Sequence, residues 1–158
     1  MIQSFHNLIN SNQFKAWERK HKNAYLCSCF TIFDNEKKNI WQFDYYLPRI
    51  NKITSFIVEN KISIQENQRI FERFKKKLNK INLEEVRFTS EQGLNLINKK
   101  YKDKIFNIKI IILQKLDYLV WNISLVTNDF NLINLKINAS NGKIIEETFA
   151  SLLQFKAS

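Results

Sequence analysis

Apolar and polar residues alternate over much of the chain. From Trp41 onward, the segment over residues 40–47 (IWQFDYYL) places an apolar or aromatic residue at every second position. This period of two is typical of a strand with one buried face. Alternation or enrichment in aromatic and β-branched residues also predicts strands over 25–33, 52–58, 105–113, 119–127, 132–138 and 143–147, with a short segment at 62–64.

Helical periodicity separates these strands. Apolar residues spaced three and four apart predict one helix from about Ser4 to Lys22 and a second from Glu66 to Lys80. A third helix is expected near Glu91, capped by Thr89 or Ser90. The Asn-Gly pair at 141–142 predicts a type I′ hairpin turn, and the residues after 148 predict a short helix or an ordered tail.

The chain also shows a faint internal repeat. Trp41 and Trp121 are 80 positions apart, and each is followed by alternating apolar residues. The same offset pairs Lys20 with Lys100, Ile32 with Ile112, Ile53 with Ile133 and Ile57 with Ile137. Chance matches in an Ile-, Asn- and Lys-rich chain are the alternative. Because each half reads as a helix followed by three strands, we expect an internal duplication.

These patterns predict an α+β fold of two pseudo-repeated units, each a helix with an antiparallel sheet. The first unit would span residues 1–64, a connecting basic helix 65–81, and the second unit 82–158. Because units of this size are small and no flexible linker separates them, we expect them to share one compact core.

The second half resembles a PepSY-type domain, the small module of peptidase propeptides. LEEVRFTSEQGLNLINKKY (83–101) resembles the helix of that family, and YLVWNISLVT (118–127) its central strand. LKINASNGKII (135–145) resembles its closing hairpin, with Asn138 where Asp is common. The resemblance implies a cystatin-like arrangement, with a helix across a curled antiparallel sheet. It implies contact with proteins, often inhibitory, and carries over no catalytic residue.

The net charge of +10 raises the question of nucleic-acid binding. One stripe of the predicted connecting helix is basic, formed by Arg69, Arg73, Lys76, Lys77 and Lys80. A solvated helix face explains the same stripe, and A/T-rich codons explain the abundance of Lys. We therefore keep a nucleic-acid-binding protein as the alternative function.

Little in the chain predicts catalysis. Cys27 and Cys29 are spaced to project from the same face of a strand, and we interpret them as buried free thiols. Only His6 and His21 could complete a metal site, and the two glycines cannot build a phosphate loop. We expect a non-enzyme without metal or cofactor.

One sheet face of the first half predicts a surface for a partner. The face opposite the helix is expected to carry Tyr25, Cys27, Cys29, Phe33, Tyr46, Phe56 and Val58. A single-layer sheet would leave this face wet and polar, so something should cover it. The candidates are the sheet of the other half, the connecting helix or a second protein.

Together these observations predict a protein- or peptide-binding regulatory or scaffold module. A peptidase inhibitor is a second alternative. With two cysteines, no apolar run of membrane-spanning length and no visible secretory signal, we expect a cytoplasmic protein without membrane contact.

Overall fold

The computed structural model describes residues 1–34, 40–69 and 78–153. Its helices are α1 (Ile2–Asn10), α2 (Asn12–Lys20) and α3 (Ser90–Lys100), with a 3₁₀ turn at Leu83–Glu85. Its strands are β1 (Tyr25–Asp34), β2 (Trp41–Leu47), β3 (Lys52–Val58), β4 (Ile62–Arg69), β5 (Phe106–Lys115), β6 (Leu119–Thr127), β7 (Asn131–Asn138) and β8 (Ile144–Ser151).

All eight strands belong to one antiparallel sheet, in the order β4-β3-β2-β1-β5-β6-β7-β8. The predicted fold of two helix-plus-sheet units, each with its own antiparallel sheet, is therefore wrong. The reason is the pairing of β1 with β5, which runs from Ser28 opposite Gln114 to Asp34 opposite Ile108. This ladder continues the sheet from one half of the chain into the other.

The described helices cover one face of this sheet. The Phe5 ring of α1 lies 5.4 Å from the Phe43 ring of β2, and Phe14 of α2 contacts aromatic rings of β2 and β3. In α3, a Cβ at Gly93 would lie 3.1 Å from Ile123 Cδ1, so glycine lets the helix approach the sheet closely. Buried residues of both halves form one hydrophobic cluster between the helices and this face.

The predicted first helix is in fact two. Ser11 has extended backbone angles, and its hydroxyl accepts a hydrogen bond from Phe14 N at 3.1 Å. The same hydroxyl donates to Leu8 O at 2.7 Å. Ser11 thus ends α1 and caps α2, because a serine side chain can replace the backbone partner that a helix terminus lacks.

The predicted connecting helix differs at both of its described ends, since residues 66–69 form a strand and residues 78–80 are not helical. Residues 66–69 belong to β4, where Gln68 pairs with Ile53 and Arg69 with Lys52. Pairing with a neighbouring strand overrides the weak helical preference of this polar segment. Residues 70–77 of the predicted helix lie outside the described residues.

The last described strand is Ile144–Ser151, whereas the sequence predicts a strand only over 143–147, followed by a short helix or an ordered tail. The turn before it is not type I′. Gly142 has a positive φ of 76°, but Asn141 does not, whereas a type I′ turn needs both. Four residues separate Asn138 from Lys143, and their backbones are joined by a bond from Asn138 N to Lys143 O.

Corresponding irregularities occur in both halves. The register of β1 against β2 shifts between Leu26 and Ser28, and that of β5 against β6 shifts between Phe106 and Ile108, 80 positions later. After the turn from β2 to β3, and the corresponding turn from β6 to β7, the spacing between equivalent residues becomes 79. Asn51 and Phe130 are the corresponding turn residues with positive φ, because the first turn is one residue longer.

This change of spacing corrects part of the predicted alignment. Ile57 is half-buried on one sheet face, whereas Ile137, its predicted equivalent, is fully buried on the other. In the structure, Ile137 corresponds to Val58, since each pairs with the tryptophan of the preceding strand. The internal duplication itself stays a prediction.

Candidate anion-binding cavity

A cavity of about 450 Å³ opens at one end of the sheet, beside the end of α2. It is lined by residues 19–24, which lead from α2 into β1, and by residues 47–50, which form the turn from β2 to β3. These segments meet because β1 and β2 are antiparallel, so that Tyr25 at the start of β1 pairs with Tyr46 near the end of β2.

Local hydrogen bonds shape both walls. The helix α2 ends at Lys20, and the backbone N–H of the next residue, His21, bonds to Glu18 O. Ala24 N then bonds to His21 O at 2.8 Å. On the other wall, Pro48 cannot continue the ladder of β2. Ile50 N bonds back to Leu47 O at 3.3 Å and closes that turn.

Arg49 is held across the cavity by Asn23. With the Asn23 amide oriented so that its oxygen faces Arg49, the Nε and one terminal nitrogen of the guanidinium both donate to it at 2.9 Å. A guanidinium has five N–H donors, so three remain for a ligand. This contact therefore orients the planar guanidinium and leaves three of its N–H groups available to a ligand.

His21 is positioned by Trp17 one helical turn earlier. The two rings are stacked, with centroids 4.6 Å apart, and His21 Nδ1 lies 2.8 Å from Trp17 O. Because a carbonyl oxygen only accepts, Nδ1 carries the proton of this hydrogen bond. The geometry leaves Nε2 for a ligand.

The cavity is strongly basic. Its described lining includes five basic residues and no acidic one: Arg19, Lys20, His21, Lys22 and Arg49. Arg19 and Lys20 stand in the last turn of α2, where cations also offset the negative end of the helix dipole. Lys22 and Arg49 lie outside any helix, so the dipole does not account for them.

The second half has a smaller cavity of about 180 Å³ at the corresponding place, 80 positions along the chain. Its lining differs in charge. Asp103 and Asp129 are acidic, and Lys104 Nζ lies 3.7 Å from Asp129 Oδ2. The two cavities therefore lie at corresponding positions of the chain, but the lining of the first is basic and that of the second contains both acidic and basic residues.

The sheet surface predicted for a partner is not one surface. Cys29, Phe56 and Val58 belong to the hydrophobic core, and Phe33 packs against it. Tyr25 and Tyr46 pack together on the other side, with ring centroids 5.5 Å apart, and Cys27 lies near them. The other half cannot cover that side either, because the two halves lie edge to edge in one sheet.

The predicted basic patch is only partly described. Arg69 is exposed at the end of β4, and Lys80 is exposed in the chain that precedes the 3₁₀ turn. Arg73, Lys76 and Lys77 lie outside the described residues. The cavity is absent from the sites predicted above, although four consecutive basic residues, Arg19–Lys22, are a signal for it in the sequence.

The two cysteines are free and buried, as predicted. Burial raises the pKa of the Cys27 thiol to about 12 and also raises the pKa of Cys29, which lies deeper. Both thiols are therefore protonated at neutral pH, and the thiol is a weak nucleophile and metal ligand. Among the described residues, no three His, Cys, Asp or Glu side chains lie together as metal ligands would.

Comparison with known proteins shows a similarity of fold. No family model and no curated protein sequence matches this chain. A crystal structure of a "putative lipoprotein" from Clostridium difficile 630 superposes with a TM-score of 0.59, covering 88% of this chain and 91% of that one at 14% identity. The two proteins share a fold.

The PepSY-type resemblance stays a prediction, as does a cytoplasmic location. Within the described part of the chain, no helix has the length and apolar character needed to cross a bilayer.

Proposed function

We propose that this protein is a non-catalytic binding module that recognises an acidic segment of a protein partner. The observation that carries the proposal is the cavity beside the end of α2, with five basic side chains and no acidic one among its described lining residues. A partner that places carboxylates in this cavity would neutralise charges that lack acidic partners in the lining.

The energy of such recognition comes from the cluster as a whole. A single exposed ion pair contributes only about 0–1 kcal/mol. Several cations in a concave site add their fields and accelerate the approach of an oppositely charged partner. Arg49 adds direction, because its orientation by Asn23 presents the remaining N–H groups as a fixed planar donor.

A nucleic acid fits this cavity less well. Single strands bind through aromatic side chains that stack on bases, together with a groove that follows the backbone. The described lining contains no phenylalanine, tyrosine or tryptophan. Its volume suits one or two carboxylate side chains better than a run of nucleotides. The net charge of +10 keeps nucleic acid as the competing ligand in the test.

The test compares two charge reversals of equal size. Arg19→Glu with Lys22→Glu alters the basic cavity, whereas Lys99→Glu with Lys102→Glu alters the exposed positions 80 residues later. Both variants lower the net charge by the same amount. We expect the cavity variant to bind a fluorescent glutamate-rich peptide at least about tenfold more weakly, measured by anisotropy, and the control variant to change the affinity less than about threefold.

Equal losses in the two variants would show that the peptide responds only to overall charge, and the proposal would fail. A mixed-sequence oligonucleotide serves as the second ligand at the same ionic strength. If it binds more tightly than the peptide and is lost in the same variant, the protein is a nucleic-acid binder instead. A steep fall of its affinity with salt would support that outcome.

A further inference from the structure

We propose that His21 is a ligand of the bound carboxylate and that its protonation makes recognition depend on pH. This inference rests on the proposed function and adds a residue and a regulatory property to the same cavity. It follows from the hydrogen bond of His21 Nδ1 to Trp17 O, which leaves the second ring nitrogen, Nε2, to face a ligand in the cavity.

Geometry assigns the two ring nitrogens different tasks. The Nδ1–H of His21 donates to Trp17 O at 2.8 Å, and stacking on Trp17 restricts rotation of the ring. His21 also lines the cavity. In the neutral ring, Nε2 is an acceptor and opposes a carboxylate oxygen, whereas in the protonated ring it donates to that oxygen and adds a positive charge.

The other charged side chains around His21 are lysines and arginines, residue types that are ordinarily cationic near neutral pH. Arg19, Lys20 and Lys22 lie on the same wall, and Arg49 lies on the facing turn. From β2, Tyr45 packs on Trp17, and burial raises the pKa of that phenol far above neutral. Glutamate side chains of a ligand are ionised above about pH 5.5. His21 supplies the imidazole of the described lining, and imidazole is the side-chain type that ordinarily exchanges a proton between pH 5 and 8.

The direction follows from reciprocity. A carboxylate beside Nε2 favours the protonated ring, so protonation of the ring must favour binding of the carboxylate by the same factor. Affinity for an acidic segment therefore rises as the pH falls from 8.0 to 5.5. Coupling of this kind is typically fivefold or more.

The experiment measures the affinity for the glutamate-rich peptide at pH 5.5 and pH 8.0. We expect the unmodified chain to bind about five- to tenfold more tightly at pH 5.5. The chain has two histidines, and His6 lies exposed on α1, so it provides a matched control. His6→Gln should keep the pH dependence, and His21→Gln should reduce it below about twofold.

A second measurement needs no substitution. Calorimetry of peptide binding to the unmodified chain at pH 6.5, in two buffers of different ionisation enthalpy, should show protons taken up on binding. This result is independent of any folding defect in His21→Gln. An affinity that does not change with pH, or an equal pH dependence in His21→Gln, would overturn the role of His21. Absence of peptide binding at both pH values would instead defeat the proposed function.

Discussion

At the scale of single residues, one irregularity separates the two cysteines. Leu26 of β1 pairs with Tyr45, and Ser28 pairs with Asp44, so Cys27 is an extra residue in the strand. A bulge of this kind shifts the alternation of side chains. Cys29 therefore enters the core, while the Cys27 thiol donates to Asp44 O at 3.3 Å. The expectation that both thiols share a face assumed a regular strand.

Gly142 shows why one turn residue cannot carry a side chain. Its φ is +76°, and a Cβ there would lie 2.6 Å from Phe88 Cδ2. Gly142→Ala should lower the free energy of unfolding by about 1–2 kcal/mol, because it combines an unfavourable backbone conformation with a collision. Urea denaturation measures this change.

Gly93→Ala is the matched control for that substitution. Gly93 lies inside α3, where alanine gains about 1 kcal/mol of helix propensity. This gain offsets a tight contact of the new Cβ, which would lie 3.1 Å from the terminal methyl of Ile123 and 3.6 Å from that of Ile137, both at the ends of flexible side chains. Its effect should be the smaller of the two. An unchanged stability in Gly142→Ala would contradict the strained turn.

At the scale of elements, α3 begins with a complete capping box. Thr89 Oγ1 accepts from Gln92 N at 3.2 Å, and Gln92 Oε1 accepts from Thr89 N at 2.8 Å. Of the two caps that the sequence allowed, Thr89 is the one used, and Ser90 is the first residue of the helix. The two bonds satisfy backbone donors that the first turn would otherwise leave unpaired.

Removing this cap should weaken the protein measurably. Thr89→Ala deletes the hydroxyl and should cost about 1 kcal/mol of stability, whereas Thr89→Ser keeps the acceptor and should cost much less. Thermal unfolding followed by circular dichroism compares the two. If serine and alanine were equally destabilising, the loss would come from the methyl group and not from the cap.

At the scale of the whole molecule, two tryptophans bridge the middle of the sheet. Trp41 and Trp121 are both buried, and their rings meet edge to face with centroids 6.5 Å apart. Trp121 Nε1 also donates to Phe88 O at 2.7 Å, which ties the segment before α3 to the sheet. With the pairing of β1 and β5, these contacts join the two halves into one structure.

This arrangement predicts a single unfolding transition. Truncating a buried tryptophan typically costs about 3–5 kcal/mol. Trp41→Ala and Trp121→Ala should therefore each lower the midpoint of the same calorimetric transition, although the residues lie in different halves. The control is Tyr118→Ala, because Tyr118 is exposed in the turn just before β6, and this substitution should shift the midpoint little.

Two separable transitions in either tryptophan variant would contradict this prediction, since each half would then unfold by itself. An unchanged midpoint in one variant would remove that tryptophan from the shared core.

The sequence by itself determined the elements whose stabilising contacts are local. The alternation of residues over 119–127 predicted β6 with the bounds that the structure has. The possible hydroxyl caps at Thr89 and Ser90 predicted the start of α3 to within one residue, because a cap and the backbone group that it satisfies lie within a few positions of each other in the chain. Burial of the aromatic side of β2 also followed from its period of two.

Only the tertiary structure decided how these elements meet. The pairing of β1 with β5, the strand character of residues 66–69 and the bulge at Cys27 depend on partners distant in the chain. The cavity exists because a helix end and a strand turn, about 25 residues apart, come together at one end of the sheet. The alternation of residues along a strand does not identify the strand with which it pairs, because every strand offers the same backbone N–H and C=O groups.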